Sequence, residues 1–423
     1  MEIYFNAISE PTQPGPKWQN LFNRYWPAYR AWFVSKNVAY SPDLKTSLAA
    51  LKQFMPEMLP TYDRLCELAN ADQVAARFLT GYQPPAFINA CSQAVMTKKV
   101  VQLVRNYDYH PELSESTQLL SSWNGRKVIA NNDCLSGVLD GMNDDGLAIS
   151  LTFGGRKVVG KGFGIPFILR YVLEFCTTVE EAIEALTRVP SHMSYNVTVL
   201  DRSGAYKTVQ LAPDRPPQVT DAVLATNHQG KVDWPENAQF NKTVERAEFL
   251  KQLLLNKEPD AATMLDAFLQ PPLYNTRFKE GFGTLYTAVY RPQEGSVQLH
   301  WPEDHCKQSF DHFQEVDKLI KFKPQVTDSL YPQDTNLTNL PTEAGQGLEK
   351  DKLKPENTQP DWQHHVVETI VDSMGNTKTG KAKKLLATLK EGIKRRGQIP
   401  WEVLVDFWSD VGEKYRQKWR KDK

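Results

Sequence analysis

Four features in the middle of the chain combine residue types that could do chemistry. They are a cysteine followed by an Arg–Asp pair, a turn rich in Gly, Asn and Asp, an Asn–His pair, and an arginine near the start of a helix. In chain order their residues are Asn89-Ala90-Cys91-Ser92 with Arg105-Asn106-Tyr107-Asp108, then Gly141-Met142-Asn143-Asp144-Asp145-Gly146-Leu147, Ala225-Thr226-Asn227-His228, and Thr243-Val244-Glu245-Arg246. A thiol, a cation, a carboxylate and a side-chain amide are groups that serve nucleophilic attack on an amide carbonyl.

Cys91 can act as a nucleophile only if its surroundings help it to ionise. The pKa of an ordinary cysteine is about 8.5, so at neutral pH most of the side chain is the unreactive thiol. A base or a nearby positive charge is therefore required. Arg105 follows Cys91 by fourteen residues and Asp108 follows by seventeen.

Taken one at a time, these features also have ordinary structural interpretations. A cysteine after a proline-rich loop is most often a small buried hydrophobic residue. An arginine and an aspartate three apart usually form a surface pair that adds little stability. The Gly–Asn–Asp segment is first of all a tight turn. Thr-Asn-His can simply end a strand, and Thr-x-x-Arg opens an ordinary helix.

Together and in this order, the features resemble those of the choloylglycine hydrolase and penicillin acyltransferase families of N-terminal nucleophile hydrolases. The resemblance covers residues 80–322 and rests on Arg-Asn-x-Asp behind a cysteine, Gly-Met-Asn-x-x-Gly-Leu and Thr-Asn-His. The long stretch ahead of Cys91 and the strand at Thr284-Leu285-Tyr286 fit the acyltransferase branch, in which a pro-segment precedes the nucleophile. The resemblance implies an α+β fold, a four-layer αββα sandwich of two antiparallel sheets between helical layers.

The resemblance also implies how the nucleophile is activated. Family members cut the peptide bond before the cysteine, which here follows Ala90. The new α-amine of Cys91, with a reference pKa of about 8, then takes the thiol proton. Arg105 would favour the thiolate, and Asp108 would hold and orient the α-amine.

The other implied roles concern the oxyanion and the substrate. The Asn227 amide would donate a hydrogen bond to the oxyanion of the tetrahedral intermediate, and the backbone near Thr152 would supply a second donor. Arg246 would support the site around Asp108. We assign substrate binding to Thr152 and Phe153.

The chain departs from the family pattern at three positions. Ala90 precedes the cysteine where members often have glycine, and Thr243 opens the helix where they usually have serine. Thr152 stands on a strand that often offers Asn or Tyr. The last departure bears on substrate recognition more than on the core chemistry.

Four other cysteines compete with Cys91 for the role of nucleophile, and each has a simpler interpretation. Cys134 has an aspartate beside it but no close base. Cys176 ends an apolar helix, and Cys66 lies in a helical pattern. Cys306 follows a histidine, but adjacency in sequence does not make a Cys–His dyad.

Composition limits the class of protein. Fifty basic and fifty acidic side chains balance, so the chain has no long-range attraction to nucleic acid or anionic membrane. The N-terminus lacks the basic and apolar regions of a secretory signal, and no stretch approaches the ~18 apolar residues that span a bilayer. The five cysteines have no C-x-x-C spacing, and His364-His365 lack a third ligand. We expect a cytoplasmic protein without a membrane span, metal or cofactor.

The 423 residues are too many for one small core, and the sequence predicts four segments. Residues 1–90 show helical spacing, end at Gln83-Pro84-Pro85 and form a helical pro-segment. Residues 91–322 form the αββα catalytic domain. Residues 323–360 are a polar, proline-containing linker. Residues 361–423 are a basic helical domain in which fourteen Lys or Arg outnumber nine Asp or Glu.

Within the catalytic domain, short β-branched runs predict strands and amphipathic runs predict helices. The predicted strands are Val100–Val104, Lys127–Ala130, Leu147–Phe153, Asn196–Asp201, Tyr206–Leu211, Ala222–Thr226, Thr284–Tyr290 and Ser296–Trp301. The predicted helices are Ile165–Phe175, one that begins at Thr178 and ends near Pro190, Thr243–Leu255 and Asp311–Phe322.

The sequence is compatible with three functions. The first is a hydrolase or acyltransferase of linear amides that forms an acyl-Cys91 intermediate from a small-molecule substrate, with the cleaved pro-segment still associated. The second is a non-catalytic scaffold that binds through the C-terminal domain, and the third is a cysteine enzyme that is never cleaved. Basic residues 378–396 and the tryptophans after them could serve nucleic acid or anionic lipid. We favour a solvated basic face and expect no nucleic-acid partner.

Overall fold

Fifteen β-strands form two sheets in the computed structural model, which describes residues 1–35, 42–87, 90–257, 259–278 and 282–322. The strands are β1 Glu2–Glu10, β2 Ala90–Met96, β3 Gln102–Tyr109, β4 Thr117–Ser121, β5 Val128–Asp133, β6 Gly137–Asn143, β7 Ala148–Phe153, β8 Tyr195–Leu200, β9 Tyr206–Leu211, β10 Gln218–Thr220, β11 Leu224–Ala225, β12 Gly283–Arg291, β13 Ser296–Trp301, β14 Asp304–Ser309 and β15 Val316–Lys321. One sheet has nine strands in the order β10-β9-β8-β7-β6-β5-β4-β1-β15. The other has six in the order β11-β2-β3-β12-β13-β14.

Nine α-helices accompany the sheets in the same described residues. They are α1 Pro16–Ser35, α2 Leu44–Phe54, α3 Leu59–Leu68, α4 Gln73–Leu79, α5 Ile165–Phe175, α6 Val179–Arg188, α7 Pro235–Asn241, α8 Thr243–Lys257 and α9 Ala261–Phe268. The α6 helix begins as its sequence predicts, because the Thr178 hydroxyl accepts a hydrogen bond from the Glu181 backbone at 3.3 Å.

Three apolar cores separate four layers. The middle core joins the two sheets and includes Leu103 of the smaller sheet and Met142 of the larger one. A second core packs α5 and α6 on the nine-stranded sheet, and a third packs α8 and α9 on the six-stranded sheet. The central strands are covered on both faces, so every residue of β2 and β7 is buried. The result is the predicted four-layer αββα sandwich.

The N-terminal helices belong to the same compact unit as the sandwich. Their apolar residues, such as Phe22 and Phe78, share the core that lies on the α5 side of the nine-stranded sheet. Trp18 is completely buried, and its Nε1 donates a hydrogen bond to the Leu135 carbonyl at 3.1 Å. Residues that the sequence predicts as a pro-segment are therefore structural neighbours of the sheet.

The prediction that residues 1–90 are helical is wrong for the first residues of the chain. Residues Glu2–Glu10 form β1, which lies between β15 and β4 in the nine-stranded sheet and runs parallel to β4. Ile3, Phe5 and Ala7 are buried while their immediate neighbours are more exposed. This is the two-residue period of a half-buried strand.

The predicted helix Asp311–Phe322 is also wrong. Val316–Lys321 form β15, which pairs antiparallel with β1 and closes one edge of the larger sheet. Its residues alternate in burial along the strand. A single short segment at a sheet edge has too few apolar residues to distinguish a strand from a helix by periodicity.

The other strands and helices predicted for residues 91–322 are confirmed. Each of the eight predicted strands overlaps an observed one, and α5, α6 and α8 form where helices are expected. No helix among the described residues is long and apolar enough to cross a membrane. The predicted linker and the basic helical domain, including His364-His365, lie outside the described residues.

Candidate active site

Cys91 and Arg105 lie together between the two sheets. In the antiparallel register of β2 and β3, Cys91 faces Tyr107 and Gln93 faces Arg105. Cys91 and Arg105 are therefore diagonal neighbours on one face of the sheet. Arg105 Nη2 donates a hydrogen bond to Cys91 Sγ at 2.8 Å, and both side chains are completely buried.

The surroundings of Cys91 favour the protonated thiol. Burial raises its pKa to about 11, and the charge of Asp108 also raises it, although the charge and hydrogen bond of Arg105 and the charge of Arg246 act in the opposite direction. The cation is thus in place, but it does not by itself ionise the thiol at neutral pH. A proton acceptor is still needed.

Arg246 holds the backbone of Cys91. It lies in the first turn of α8, where the sequence places it three residues after Thr243. Its Nη1 donates to the Cys91 carbonyl and to Ser92 Oγ, both at 2.7 Å. Its Nη2 donates to Asn227 Oδ1 at 2.6 Å. The carbonyl group of Cys91 therefore has a fixed, charged donor.

Asn227 contacts the other backbone group of Cys91. The Asn227 Oδ1 atom accepts a hydrogen bond from the Cys91 backbone nitrogen at 3.2 Å. Its Nδ2 donates to the Phe153 carbonyl at 3.2 Å, and its backbone nitrogen donates to Thr243 Oγ1 at 2.6 Å. In the uncut chain the amide that the sequence assigns to the oxyanion is thus bound to a backbone carbonyl.

Asp108 lies opposite Ala90 in the register of β2 and β3. It is buried, and burial raises its pKa while the charge of Arg246 lowers it. Thr284 Oγ1 donates to its Oδ1 at 2.7 Å, and Arg246 Nη1 is 3.7 Å from its Oδ2. The Asp108 residue is therefore paired with Ala90, although the Cys91 nitrogen is bound by Asn227.

Thr152 and Phe153 end β7 next to this cluster. Thr152 Oγ1 donates to the Thr226 carbonyl at 2.7 Å and accepts from Asn196 Nδ2 at 3.0 Å. The Phe153 carbonyl is the acceptor for Asn227 described above. Both residues are completely buried in the uncut chain, where they fasten the turn that carries Asn227.

The Gly-Met-Asn segment holds the fold together around the site. Asn143 Nδ2 donates to the carbonyls of Leu173 and Cys176 at the end of α5, at 3.0 and 2.8 Å. A Cβ on Gly141 would lie 2.8 Å from Leu173 Cδ1, so glycine permits the close approach of the helix. This segment therefore acts through packing and not through contact with the thiol.

Sequence reasoning missed Asp140, the residue just before the Gly-Met-Asn segment. Its carboxylate pairs with Arg105 and accepts hydrogen bonds from the hydroxyls of Tyr286 and Tyr290. All of these side chains are buried. The available signal was an aspartate within an otherwise apolar strand, in the sequence Gly137-Val138-Leu139-Asp140.

The competing cysteines lack these neighbours. All five cysteines are free thiols. Burial raises the pKa of Cys134, Cys176 and Cys66, and none of their hydrogen bonds within the described residues comes from an arginine. Within the described ranges, no group of three His, Cys, Asp or Glu side chains is arranged to hold a metal ion.

Comparison with known proteins gives a match to one family model and similarity to several solved structures. Residues 95–305, about half of the chain, match the family model described as acyl-coenzyme A:6-aminopenicillanic acid acyl-transferase. The matched range begins four residues after Cys91 and contains Arg105, Asp108, Asn227 and Arg246. No curated protein sequence matches the chain.

Three solved structures resemble the chain at low identity. A mutant of conjugated bile acid hydrolase from Clostridium perfringens is 15% identical over 55% of this chain and 97% of that one, with a TM-score of 0.37. The Caenorhabditis elegans N-acylethanolamine-hydrolyzing acid amidase ortholog is 16% identical over 55% and 100%, also at 0.37. Penicillin V acylase from Agrobacterium tumefaciens is 14% identical over 52% and 86%, at 0.34.

The matched range covers four of the five predicted catalytic residues and begins after Cys91. The matched range includes strand β3, which carries both Arg105 and Asp108, the turn that carries Asn227 and the helix that carries Arg246. The chain is a member of the penicillin acyltransferase family of N-terminal nucleophile hydrolases.

Proposed function

We propose that the protein is a self-processing cysteine amidohydrolase or acyltransferase that acts on linear amides through an acyl-Cys91 intermediate. The observation that carries the proposal is the set of contacts around one residue. Arg105 donates to the Cys91 thiol at 2.8 Å, Arg246 donates to its carbonyl at 2.7 Å, and Asn227 accepts from its nitrogen at 3.2 Å. In the part of the chain that the structure describes, no other cysteine accepts a hydrogen bond from an arginine at its sulfur.

Self-processing would be an N-to-S acyl shift followed by hydrolysis. The Cys91 sulfur attacks the Ala90 carbonyl carbon, the bond from that carbon to the Cys91 nitrogen breaks, and the thiol proton ends on the nitrogen. Water then cleaves the Ala90 thioester, leaving a carboxylate on Ala90 and a free thiol and α-amine on Cys91. Because both reacting groups belong to adjacent residues, complete burial does not prevent the first step.

The cleaved site would use the same groups for catalysis. The α-amine of Cys91, with a reference pKa of about 8, becomes the base that the uncut chain lacks. Asn227 Oδ1 already binds this nitrogen, and Asp108 lies across from Ala90. Arg105 stabilises the thiolate. Asn227 Nδ2 would leave the Phe153 carbonyl to donate to the oxyanion, a contact worth ~2.7–4 kcal/mol.

Water or an amine would resolve the acyl-enzyme, which gives hydrolysis or acyl transfer. Thr152 and Phe153, at the end of β7, would border the substrate once the chain before Cys91 has moved. Residues 1–87 would stay associated after cleavage, because β1 pairs with β4 and β15 and the helices share the core. Five free thiols favour a reducing, cytoplasmic location.

Intact masses of the wild type and of Cys91→Ala test the proposal. We expect wild type to appear as two pieces of 90 and 333 residues and Cys91→Ala to remain a single chain of 48.2 kDa. Cys134→Ala is the matched control and should be cleaved like wild type. A wild-type chain that hydrolyses amides while remaining at full mass would show that processing is not part of the mechanism.

The alternative, a non-catalytic scaffold, is favoured by one observation: the Cys91 side chain has no exposed surface in the uncut chain. It predicts a single uncut chain with no amide hydrolysis. The same mass measurement, combined with an assay of N-acyl aminocoumarins, separates the two functions.

A further inference from the structure

Arg105 uses its two terminal nitrogens for different partners. Its Nη2 donates to Cys91 Sγ at 2.8 Å. Its Nη1 donates to the Asp140 carboxylate and to the Leu139 carbonyl, the latter at 3.0 Å. The guanidinium also lies over the Tyr107 ring, 5.1 Å from its centroid. The planar guanidinium is thus fixed on one side by Asp140 and presents the other nitrogen to the thiol.

Asp140 is in turn held by neutral donors. Its Oδ2 accepts from the Tyr286 hydroxyl at 2.7 Å, and its Oδ1 accepts from the Tyr290 hydroxyl and from Asn131 Nδ2, the latter at 2.6 Å. Burial and the carboxylate both raise the pKa of the two hydroxyls, so they remain O–H donors. A completely buried carboxylate requires such donors in addition to its ion pair.

The positive charge of Arg105 is nearly balanced by the negative charge of Asp140. Arg105 and Asp140 are completely buried and carry opposite charges at hydrogen-bond distance. The ionisable groups around them are Cys91 on β2, Tyr107 and Asp108 on β3, Tyr286 and Tyr290 on β12, and Arg246 on α8. An arginine without a counter-ion would stabilise a thiolate far more strongly in such a poorly solvated place.

We propose that Asp140 is the positioning residue for Arg105: it orients the guanidinium toward Cys91 and offsets its charge. This inference rests on the proposed role of Cys91 as the nucleophile. The consequence is a thiol that stays neutral in the uncut chain and yields its proton when the α-amine has formed. Tyr286 and Tyr290 keep Asp140 in place without adding charge.

Thiolate absorbance in the ultraviolet tests this proposal directly. Each protein is titrated with alkali, and the spectrum of its Cys91→Ala counterpart is subtracted. Asp140→Asn keeps an acceptor oxygen for Arg105 but removes the offsetting charge. We expect the midpoint for Cys91 ionisation to fall by about one pH unit or more, a tenfold change in the ionisation constant. Asp145→Asn, at a partly exposed acid that pairs with Arg126, is the control and should leave the midpoint unchanged.

A second variant keeps the test valid if Asp140→Asn does not fold. Tyr286→Phe removes one neutral donor from Asp140 and no charge. Loss of a hydroxyl dipole directed at the carboxylate makes the surroundings of Cys91 slightly more negative. The midpoint should therefore rise, by less than about one pH unit.

The outcomes separate this inference from the proposed function. An unchanged or raised midpoint in Asp140→Asn, or an unchanged or lowered midpoint in Tyr286→Phe, contradicts the role of Asp140. The titration does not require that the chain be cut. A shifted midpoint in a chain that never cleaves or hydrolyses an amide would support the role of Asp140 and contradict the proposed function.

Discussion

Cys91 and Cys134 are both buried, but arginine side chains bind Cys91, whereas Cys134 lies beside two carboxyl groups. Cys91 lies between the sheets with Arg105 at its sulfur and Arg246 at its carbonyl. Cys134 follows β5, and the charges of Asp133 and Glu115 add to burial in raising its pKa well above the ordinary value. Burial alone therefore does not distinguish a candidate nucleophile from an inert thiol. A cation that is hydrogen-bonded to the sulfur does.

The backbone conformation and the backbone hydrogen bonds of the two cysteines also differ. The Cys134 nitrogen donates to Asp133 Oδ1 and to the Tyr29 hydroxyl oxygen, both at 2.9 Å. Cys134 has a φ of +55°, in a turn that docks α1 through Tyr29. Cys91 is in an extended strand beside Ala90. One environment joins the N-terminal helix to the sheet, and the other gathers groups around a peptide bond.

The largest effect that can test this contrast is the loss of each thiol. We expect Cys91→Ala to lose activity toward p-nitrophenyl acetate and N-acyl aminocoumarins by about 10⁴-fold or more, because no acyl-enzyme can form. Cys134→Ala should retain activity within a few fold. Initial rates on folded proteins, checked by circular dichroism, provide the measurement. Equal losses in the two variants would remove the distinction between the thiols.

A smaller but still large effect is expected at Asn227. Asn227→Ala removes the acceptor for the Cys91 nitrogen and the proposed oxyanion donor, so kcat should fall about 10²–10³-fold. Gln229→Ala is the matched control, since that buried amide donates to the carbonyls of Tyr195 and Leu211 instead. It should lower stability with little effect on kcat. A similar kcat for both variants would show that Asn227 only supports the fold.

The smallest effect concerns stability on the Cys134 side. Burial raises the pKa of Glu115 to about 8 and that of Asp133 to about 6, and Tyr29 contacts both carboxyls. A carboxyl with a higher pKa in the folded state stabilises the fold at low pH, and this stability is lost as the pH rises through the folded value. We expect the urea midpoint of wild type to fall as the pH rises from 4.5, the ordinary value for Glu115, to about 8.

Glu115→Gln should reduce that fall. Glutamine keeps an oxygen to accept from Tyr29 and from the Leu135 nitrogen, but it cannot ionise. Urea midpoints of the two proteins, measured at several pH values in one buffer system, give the comparison. An equally steep fall in Glu115→Gln would mean that this buried pair is not the source of the pH dependence.

The strands of residues 91–322 were largely predictable because their own residue patterns indicate them. Strands covered on both faces, such as β7 and β8, consist largely of apolar and β-branched residues. Cys91, Arg105 and Asp108 are close in the structure as well as in the sequence, because β2 and β3 are adjacent antiparallel strands. The local residue pattern was sufficient to predict the strands. The pairing of consecutive strands was sufficient to predict that the three residues lie close together.

The parts that sequence did not predict depend on distant contacts. The β1 strand forms because Ala7 pairs with Val316, a residue near the other end of the described chain. Asp140 meets Arg105 only because two sheets stack, and nothing in the sequence around either residue indicates the other. Asn227 was expected to face an oxyanion, but in the uncut chain its Oδ1 accepts from the Cys91 nitrogen. These contacts depend on how the whole chain folds, and the spacing of residues in the sequence does not indicate them.

The most direct test of the account is a peptide map after reaction with p-nitrophenyl acetate. The acid-quenched protein is digested and analysed by mass spectrometry. We predict that the acetyl group is on a peptide whose first residue is Cys91, with Ala90 absent from it. An acetyl group on another cysteine, or on a peptide in which Ala90 still precedes Cys91, would contradict an N-terminal Cys91 nucleophile.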